Sequence, residues 1–318
     1  MRPTPANRFQ QGVVLALGGS SARGLAHIGV LEVLEREQIP VRAIVGTSIG
    51  AEIGAFYCAG VPIREIVRLG SRMDRLSTLR LFLPDFQEGG ITTGKGIRSF
   101  LKPWLGGIQI EKLKTGFAAI TTDLVSGEEV VLKQGNLLEA VRASIAVPGL
   151  LSPVNIGDRL LVDGGLVNPV PFDTARQIFA GPVIAVAVHP LALQESVAIP
   201  GQRFAGEQSW GELAAYLQSN GVPYISEWLR GFKKTFRENP ESLTDIGISD
   251  VYQRSVNIAQ AGIVRIREQI SPPDLMLRPD VRHIGMLEFQ RGKEAIALGR
   301  NAAEESISAI HALLEDGR

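Results

Sequence analysis

Val41-Arg42-Ala43-Ile44-Val45-Gly46-Thr47-Ser48-Ile49-Gly50-Ala51 is the stretch on which the fold turns. An apolar run breaks at a glycine-bracketed turn, and small and apolar residues continue at helical density through about Ala59. Strand, sharp turn and helix follow one another within a few residues. Upstream, Val13-Val14-Leu15-Ala16-Leu17 is a continuous apolar run closed by Gly18-Gly19, as expected of a strand buried on both faces of a parallel sheet. From Leu25 the period changes: Leu25, Ile28, Leu31 and Leu34 recur at helical spacing, with Glu32, Glu35 and Arg36 on other faces. The chain therefore opens β-turn-α-β-turn-α, which predicts an α/β fold: a central, mostly parallel sheet with right-handed crossovers and helices on both faces.

Downstream, residues 62–112 are less regular, with Pro84, Gly89-Gly90 and Gly94 breaking short helical pieces, a composition suited to a cap over a site. Strands are expected at Phe117 to Thr121, Glu129 to Leu132, Arg159 to Val162 and Val183 to Val188, with a helix from Leu137 to Ser144 closed by Pro148-Gly149. Residues 192–245 read as a helical excursion. Phe289 to Leu314 reads as one long amphipathic helix with Ile296, Ala303, Ile307, Ile310 and Leu314 on the face that docks. The expected organisation is an N-terminal tail at 1–11, an α/β catalytic core at 12–195, and a mainly helical C-terminal region at 196–318 packed on that core.

Composition narrows the function classes. Apolar residues make up 45% of the 318, enough for a sizeable core. Lys plus Arg and Asp plus Glu both number 33, so no net positive charge draws the chain to nucleic acid. The single cysteine, Cys58, has no internal disulfide partner, and Val13 to Leu17 is too short for a signal core or a membrane span, so a cytoplasmic location is expected. No metal-ligand cluster stands out and no cofactor is expected.

Gly46-Thr47-Ser48-Ile49-Gly50 has the G-x-S-x-G form in the strand-turn-helix setting that gives this short motif its meaning. Gly46 and Gly50 permit the tight turn, and the turn lifts the Ser48 hydroxyl to the carboxyl end of the sheet, next to a helix N-terminus that favours negative charge. A serine nucleophile also needs a base and donors for an oxyanion. Gly18-Gly19-Ser20-Ser21-Ala22-Arg23-Gly24 stands between the first strand and first helix, where its N–H groups reach the same sheet end. Such loops also cradle phosphates, but this one lacks the middle glycine of G-x-G-x-x-G and the Gly-Lys-Ser/Thr of a nucleotide loop. Asp163-Gly164-Gly165 follows the apolar Leu160-Leu161-Val162 and sets a carboxylate at a strand end.

Taken together, these three pieces resemble the patatin-like phospholipases, in particular the short bacterial patatin-like proteins. The blocks Ala22-Arg23-Gly24-Leu25-Ala26-His27-Ile28-Gly29-Val30-Leu31, Thr122-Asp123-Leu124, Arg142-Ala143-Ser144-Ile145-Ala146-Val147-Pro148-Gly149 and Asp163-Gly164-Gly165-Leu166-Val167-Asn168 carry the likeness. It is strong over about 12–190 and looser beyond. The resemblance implies a lipid acyl hydrolase acting on phospholipids, lysophospholipids or related acyl esters. Ser48 would be its nucleophile, Asp163 the direct proton acceptor and the Gly19 to Ser21 backbone the oxyanion hole, with Arg23 holding the loop. Ser20 and Ser21 stand where such proteins usually carry glycine, and a serine at positive φ is strained.

Two other readings stay open. Ser48, Asp163 and His189 occur in the chain order of a Ser-Asp-His triad, with His189 ending a strand. The other is a weakly active or non-catalytic lipid- or partner-binding relative: Tyr224 to Glu238 carries Ile225, Leu229, Phe232 and Phe236 at helical spacing, with Trp228 adjacent and Arg230, Lys233, Lys234 and Arg237 nearby. That stripe suits a peripheral lipid contact, core packing or a second copy of the chain.

Overall fold

The computed structural model of the chain describes residues 12–82, 90–189 and 248–315. Its elements run β1 (Val13–Leu17), a 3-10 turn (Ser21–Leu25), α1 (Ala26–Arg36), β2 (Val41–Thr47), α2 (Ile49–Cys58), α3 (Ile63–Ser71), α4 (Arg75–Leu81), β3 (Gly90–Thr92) and α5 (Lys95–Leu105). There follow β4 (Gly116–Asp123), β5 (Glu129–Leu132), α6 (Leu137–Ser144), β6 (Gly149–Leu151), β7 (Val154–Ile156), β8 (Arg159–Asp163), α7 (Phe172–Ile178) and β9 (Val183–Val186). The last described segment holds α8 (Ile248–Ile270), β10 (Leu275–Leu277), α9 (Gly292–Glu305) and α10 (Ile307–Glu315). The chain forms two compact units, one of residues 1–189 and 262–318, the other of 190–261. Of the second, the described residues 248–261 begin α8. The stripe at 224–238 and the tail at 1–11 lie outside the described residues.

The central sheet has the order β10-β9-β1-β2-β4-β8-β7, with β5 also paired to β4. From β10 to β4 every pairing is parallel, whereas β5, β8 and β7 add antiparallel pairs. The continuous apolar runs suit this position, because a parallel strand covered on both faces has no polar face to keep. Val13, Leu15 and Leu17 join the large core cluster with residues of α1, α2, α5, α6 and α9. Val14 and Ala16, one step out of phase and fully buried, belong to the opposite layer, where α7 contacts β1, β2 and β9.

The C-terminal part holds two features that hydrophobic periodicity did not separate. Leu275–Leu277 extends the sheet beside β9, so this region contributes a strand as well as helices. The amphipathic run after Phe289 is two helices, because at Ser306 the backbone ladder tightens to a bond onto Ala303 and serine competes for backbone bonds of this kind. Helix α9 lies directly on α1: a β-carbon on Gly29 would stand 2.0 Å from the Ile296 carbonyl oxygen, and one on Gly299 1.9 Å from that of Ala26.

Candidate active site

Ser48 sits between β2 and α2 with φ 54° and ψ −124°, a conformation that costs a non-glycine residue about 1–3 kcal/mol. Its neighbours hold it there. Thr47 Oγ1 donates to the Asn168 carbonyl at 2.8 Å, and the Ser48 N–H donates to Ser144 Oγ at 2.9 Å. Ser144, at the end of α6, donates in turn to the Ile120 carbonyl at 2.6 Å. The flanking glycines are sterically required: a β-carbon on Gly46 would meet the Ala51 backbone at 2.4 Å, and one on Gly50 the Leu17 carbonyl oxygen at 2.2 Å.

Strand register brings Asp163 to this point. Along β4, Ile120 faces Val131 of β5 on one side and Thr47 of β2 on the other. The next residue, Thr121, faces Val130 of β5 and Asp163 of β8. Since β5 covers one side throughout, β2 and β8 share the other. They run in opposite directions and end head to head, which puts the Asp163 carboxyl beside the Ser48 hydroxyl.

Asp163 is almost wholly buried, and burial lifts its pKa to about 6, against the Ser48 hydroxyl and the Gly165 N–H, which favour the ionised form. Oδ1 accepts from Gly165 N–H at 2.7 Å, whereas Oδ2 has no partner in full hydrogen-bond geometry among the described residues. The strand end is tied down through its backbone: Thr122 Oγ1 donates to the Asp163 carbonyl, and the Asp163 N–H to that of Ala146. Gly164 closes the turn by accepting from the N–H groups of Val167 and Asn168.

The glycine-rich loop lies against the same place. A β-carbon on Gly19 would stand 3.0 Å from Ser48 Cβ, so the loop passes directly over the serine. The Gly19 N–H is already spent on the Pro169 carbonyl at 3.0 Å, while those of Ser20 and Ser21, at the start of the 3-10 turn, have no partner among the described residues. Ser20 has φ 170°, ordinary extended backbone, but Ser21 has φ 51°, so the strain anticipated from serine in this loop falls on one residue. Arg23 braces the loop, donating from Nε to the Ile284 carbonyl at 2.6 Å and from Nη1 to Ser20 Oγ at 3.5 Å.

His27 lies beneath the loop. Its Nε2 meets the Gly18 carbonyl at 2.7 Å, and an oxygen that only accepts requires the ring proton on that nitrogen. Burial lowers its pKa to about 4, with His189 adding a like-charge contribution, so the ring is neutral near pH 7. His189 is itself buried at the end of the β9 segment. Among the described residues no cluster of His, Cys, Asp and Glu could hold a metal ion, and no helix is long and apolar enough to cross a membrane.

Four supporting residues carried no role in the sequence reading: Thr47, Ser144, Asn168 and Pro169. Each lies in or beside a motif, and the available signal was a small polar residue, or a proline carbonyl, among apolar neighbours.

Comparison with known proteins gives a consistent pattern. The patatin-like phospholipase family model matches residues 15–176. An uncharacterized NTE family protein of Mycobacterium tuberculosis is 29% identical over 94% of this chain and 92% of its own length. The lysophospholipase NTE1 of Pyricularia oryzae is 28% identical over 90% of this chain, which spans 18% of that larger protein. Among solved structures, VipD from Legionella pneumophila aligns with 95% of this chain and 67% of its own at TM-score 0.44 and 12% identity.

Proposed function

Since the chain belongs to the patatin-like phospholipase family, and is accordingly a carboxylic ester hydrolase of lipid acyl groups, we propose that its reaction runs through Ser48 as nucleophile and Asp163 as the base that serves it. The observation that supports this most strongly is the head-to-head ending of β2 and β8 along β4, which sets a hydroxyl against a carboxyl with a pKa of about 6. Such a carboxyl is mostly ionised at neutral pH and more basic than an exposed aspartate, as a general base requires.

The reaction proceeds in two halves. Ser48 Oγ attacks the ester carbonyl while its proton passes to Asp163 Oδ2, and the oxyanion is received by the Ser20 and Ser21 N–H groups. Collapse returns the proton to the departing alcohol and leaves the acyl group on Ser48. Water then attacks the acyl-enzyme as Asp163 takes its proton; the acyl–Oγ bond breaks as Asp163 returns that proton to Ser48 Oγ, and the fatty acid leaves. Losing one oxyanion donor costs about 10²–10³ in rate, so the loop that Arg23 braces contributes alongside the dyad. Neither metal nor organic cofactor has a step in this scheme. The proposed substrates are phospholipids, lysophospholipids or related acyl esters, with lipid contact through residues 224–238 as a further element of the reading.

The test is hydrolysis of a short-chain p-nitrophenyl ester and a lysophospholipid by wild type, Ser48→Ala, Asp163→Asn and His189→Ala, with folding checked by circular dichroism. Loss in the first two variants with retention in His189→Ala is expected. An equally inactive His189→Ala would favour a triad, and activity in Ser48→Ala would end the proposal. For the lipid contact, vesicle binding unchanged by Trp228→Ala with Phe232→Ala would remove it.

A further inference from the structure

Outside the reacting groups, the core holds a fully buried amide side chain, Asn168. Its Nδ2 stands 3.0 Å from Thr174 Oγ1, 3.1 Å from Asp173 Oδ1 and 3.2 Å from both carboxylate oxygens of Glu129. Thr174 Oγ1 also donates to Glu129 Oε1 at 2.6 Å. An amide has two hydrogens, and two carboxylates with a hydroxyl offer more acceptor oxygens than it can serve. A positive charge set against both carboxylates comes from α8. Arg267 pairs through Nη1 with Asp173, and through Nη2 with Glu129 at 3.2 Å and the Val167 carbonyl at 3.1 Å. A guanidinium, with its N–H donors held in a rigid fork, can serve two carboxylates and a carbonyl at once, whereas an ammonium is a compact point charge.

The backbone of the same short segment joins all three motifs. The Asn168 carbonyl accepts from Thr47, the residue before Ser48. The Pro169 carbonyl accepts from Gly19 in the glycine-rich loop, and the Asn168 N–H closes the turn that begins at Asp163. Moving residues 167–169 would therefore shift nucleophile, base and loop together.

We infer that Arg267 is a positioning residue for this reaction: by pairing with both Glu129 and Asp173 beside Asn168, it fixes the 167–169 segment that aligns Ser48, Asp163 and the loop over them. It touches neither the reacting atoms nor the substrate. The inference rests on the Ser48–Asp163 reading. Displacements of an ångström at a reacting centre cost up to on the order of 10²-fold in rate.

The experiment uses the full chain as wild type, Arg267→Met, Arg267→Lys, Arg267→Met with Asp173→Asn, and Ser48→Ala. Measured are kcat and KM on a p-nitrophenyl ester, the rate constant for phosphonylation of Ser48 by a fluorophosphonate, and the thermal midpoint. Arg267→Met is expected to lower kcat and the phosphonylation rate about tenfold or more with KM within about twofold, since no substrate contact is lost. Arg267→Lys should fall between. Removing one carboxylate in the double variant should recover part of the loss, because fewer negative charges then surround Asn168. Wild-type kcat and labelling in a folded Arg267→Met protein would overturn the inference. So would a fall in midpoint alone, or a double variant no better than the single one. Should Arg267→Met not fold, Arg267→Lys with wild-type kcat and labelling overturns it equally. Hydrolysis retained by Ser48→Ala would instead remove the dyad reading, whereas an inert Ser48→Ala beside an unimpaired Arg267→Met removes only this inference.

Discussion

Gly50 rests on the carbonyl of Leu17: a β-carbon at position 50 would stand 2.2 Å from that oxygen. The first turn of α2 and the end of β1 thus touch backbone to backbone, and this contact seats the turn carrying Ser48 against the loop that begins at Gly18. Gly50→Ala must push two main-chain segments apart, and overpacking of well-packed sites costs about 1–3 kcal/mol. Gly50→Ala is expected at or beyond the upper end of that range, read as a lowered midpoint in urea with unchanged slope. A wild-type midpoint would show that the turn yields more easily than this packing implies.

The pKa of about 6 at Asp163 sets a pH dependence. With Asp163 as base, kcat/KM should rise with pH through a limb near 6 and then level, because the free enzyme needs the carboxylate form. Glu52, one turn into α2, is raised to about 7 by desolvation and is the group to separate from it. Glu52→Gln should keep the limb near 6. Its disappearance in that variant would reassign the limb to Glu52.

Stability carries the opposite sign. A carboxyl whose folded pKa is about 6 against an ordinary 3.8 binds its proton more tightly when folded, so stability is lost as pH rises between these values. Two pKa units correspond to about 3 kcal/mol. Asp163→Asn keeps an oxygen for the Gly165 N–H and removes the buried charge, so it should be more stable than wild type at pH 8 by up to about 3 kcal/mol. The difference should shrink towards pH 4. Thermal melts at both pH values test this, and a less stable variant at pH 8 would show that the ionised carboxylate is compensated in the fold.

Ser21 and Ser20 are expected to respond differently to glycine. With φ 51°, Ser21 holds a left-handed conformation that glycine adopts freely, while Ser20 at φ 170° is extended. Ser21→Gly should raise stability by up to about 1 kcal/mol and leave the N–H in place, whereas Ser20→Gly should bring no gain. Equal effects of the two substitutions on the thermal midpoint would contradict the backbone assignment.

Much of this architecture was legible along the chain. The apolar runs of β1 and β2, the turn at Ser48 and the helices after each could be read because strand burial and turn sterics are set by residues a few positions apart. The residues proposed for the site were legible as separate pieces for the same reason. The edge strand Leu275–Leu277 was not, being three residues long and indistinguishable from loop until β9 lies beside it. The division of the last helix at Ser306 was equally hidden, since the apolar stripe continues from Ile296 to Ile310 across the break.

Sequence alone established which groups are present: a serine in a strand-turn-helix elbow, a carboxylate at another strand end, and a glycine-rich loop after the first strand. Their meeting is a tertiary result. Ser48 reaches Asp163 because β2 and β8 stop at adjacent residues of β4, a register that neither strand encodes in its own residues. Thr47 and Asn168 stand 121 positions apart, and Arg267 and Val167 stand 100 apart. Hydrogen bonds over such separations leave no local periodicity to read. Only the closed sheet, with its backbone and charge requirements satisfied at once, brings those partners within bonding distance.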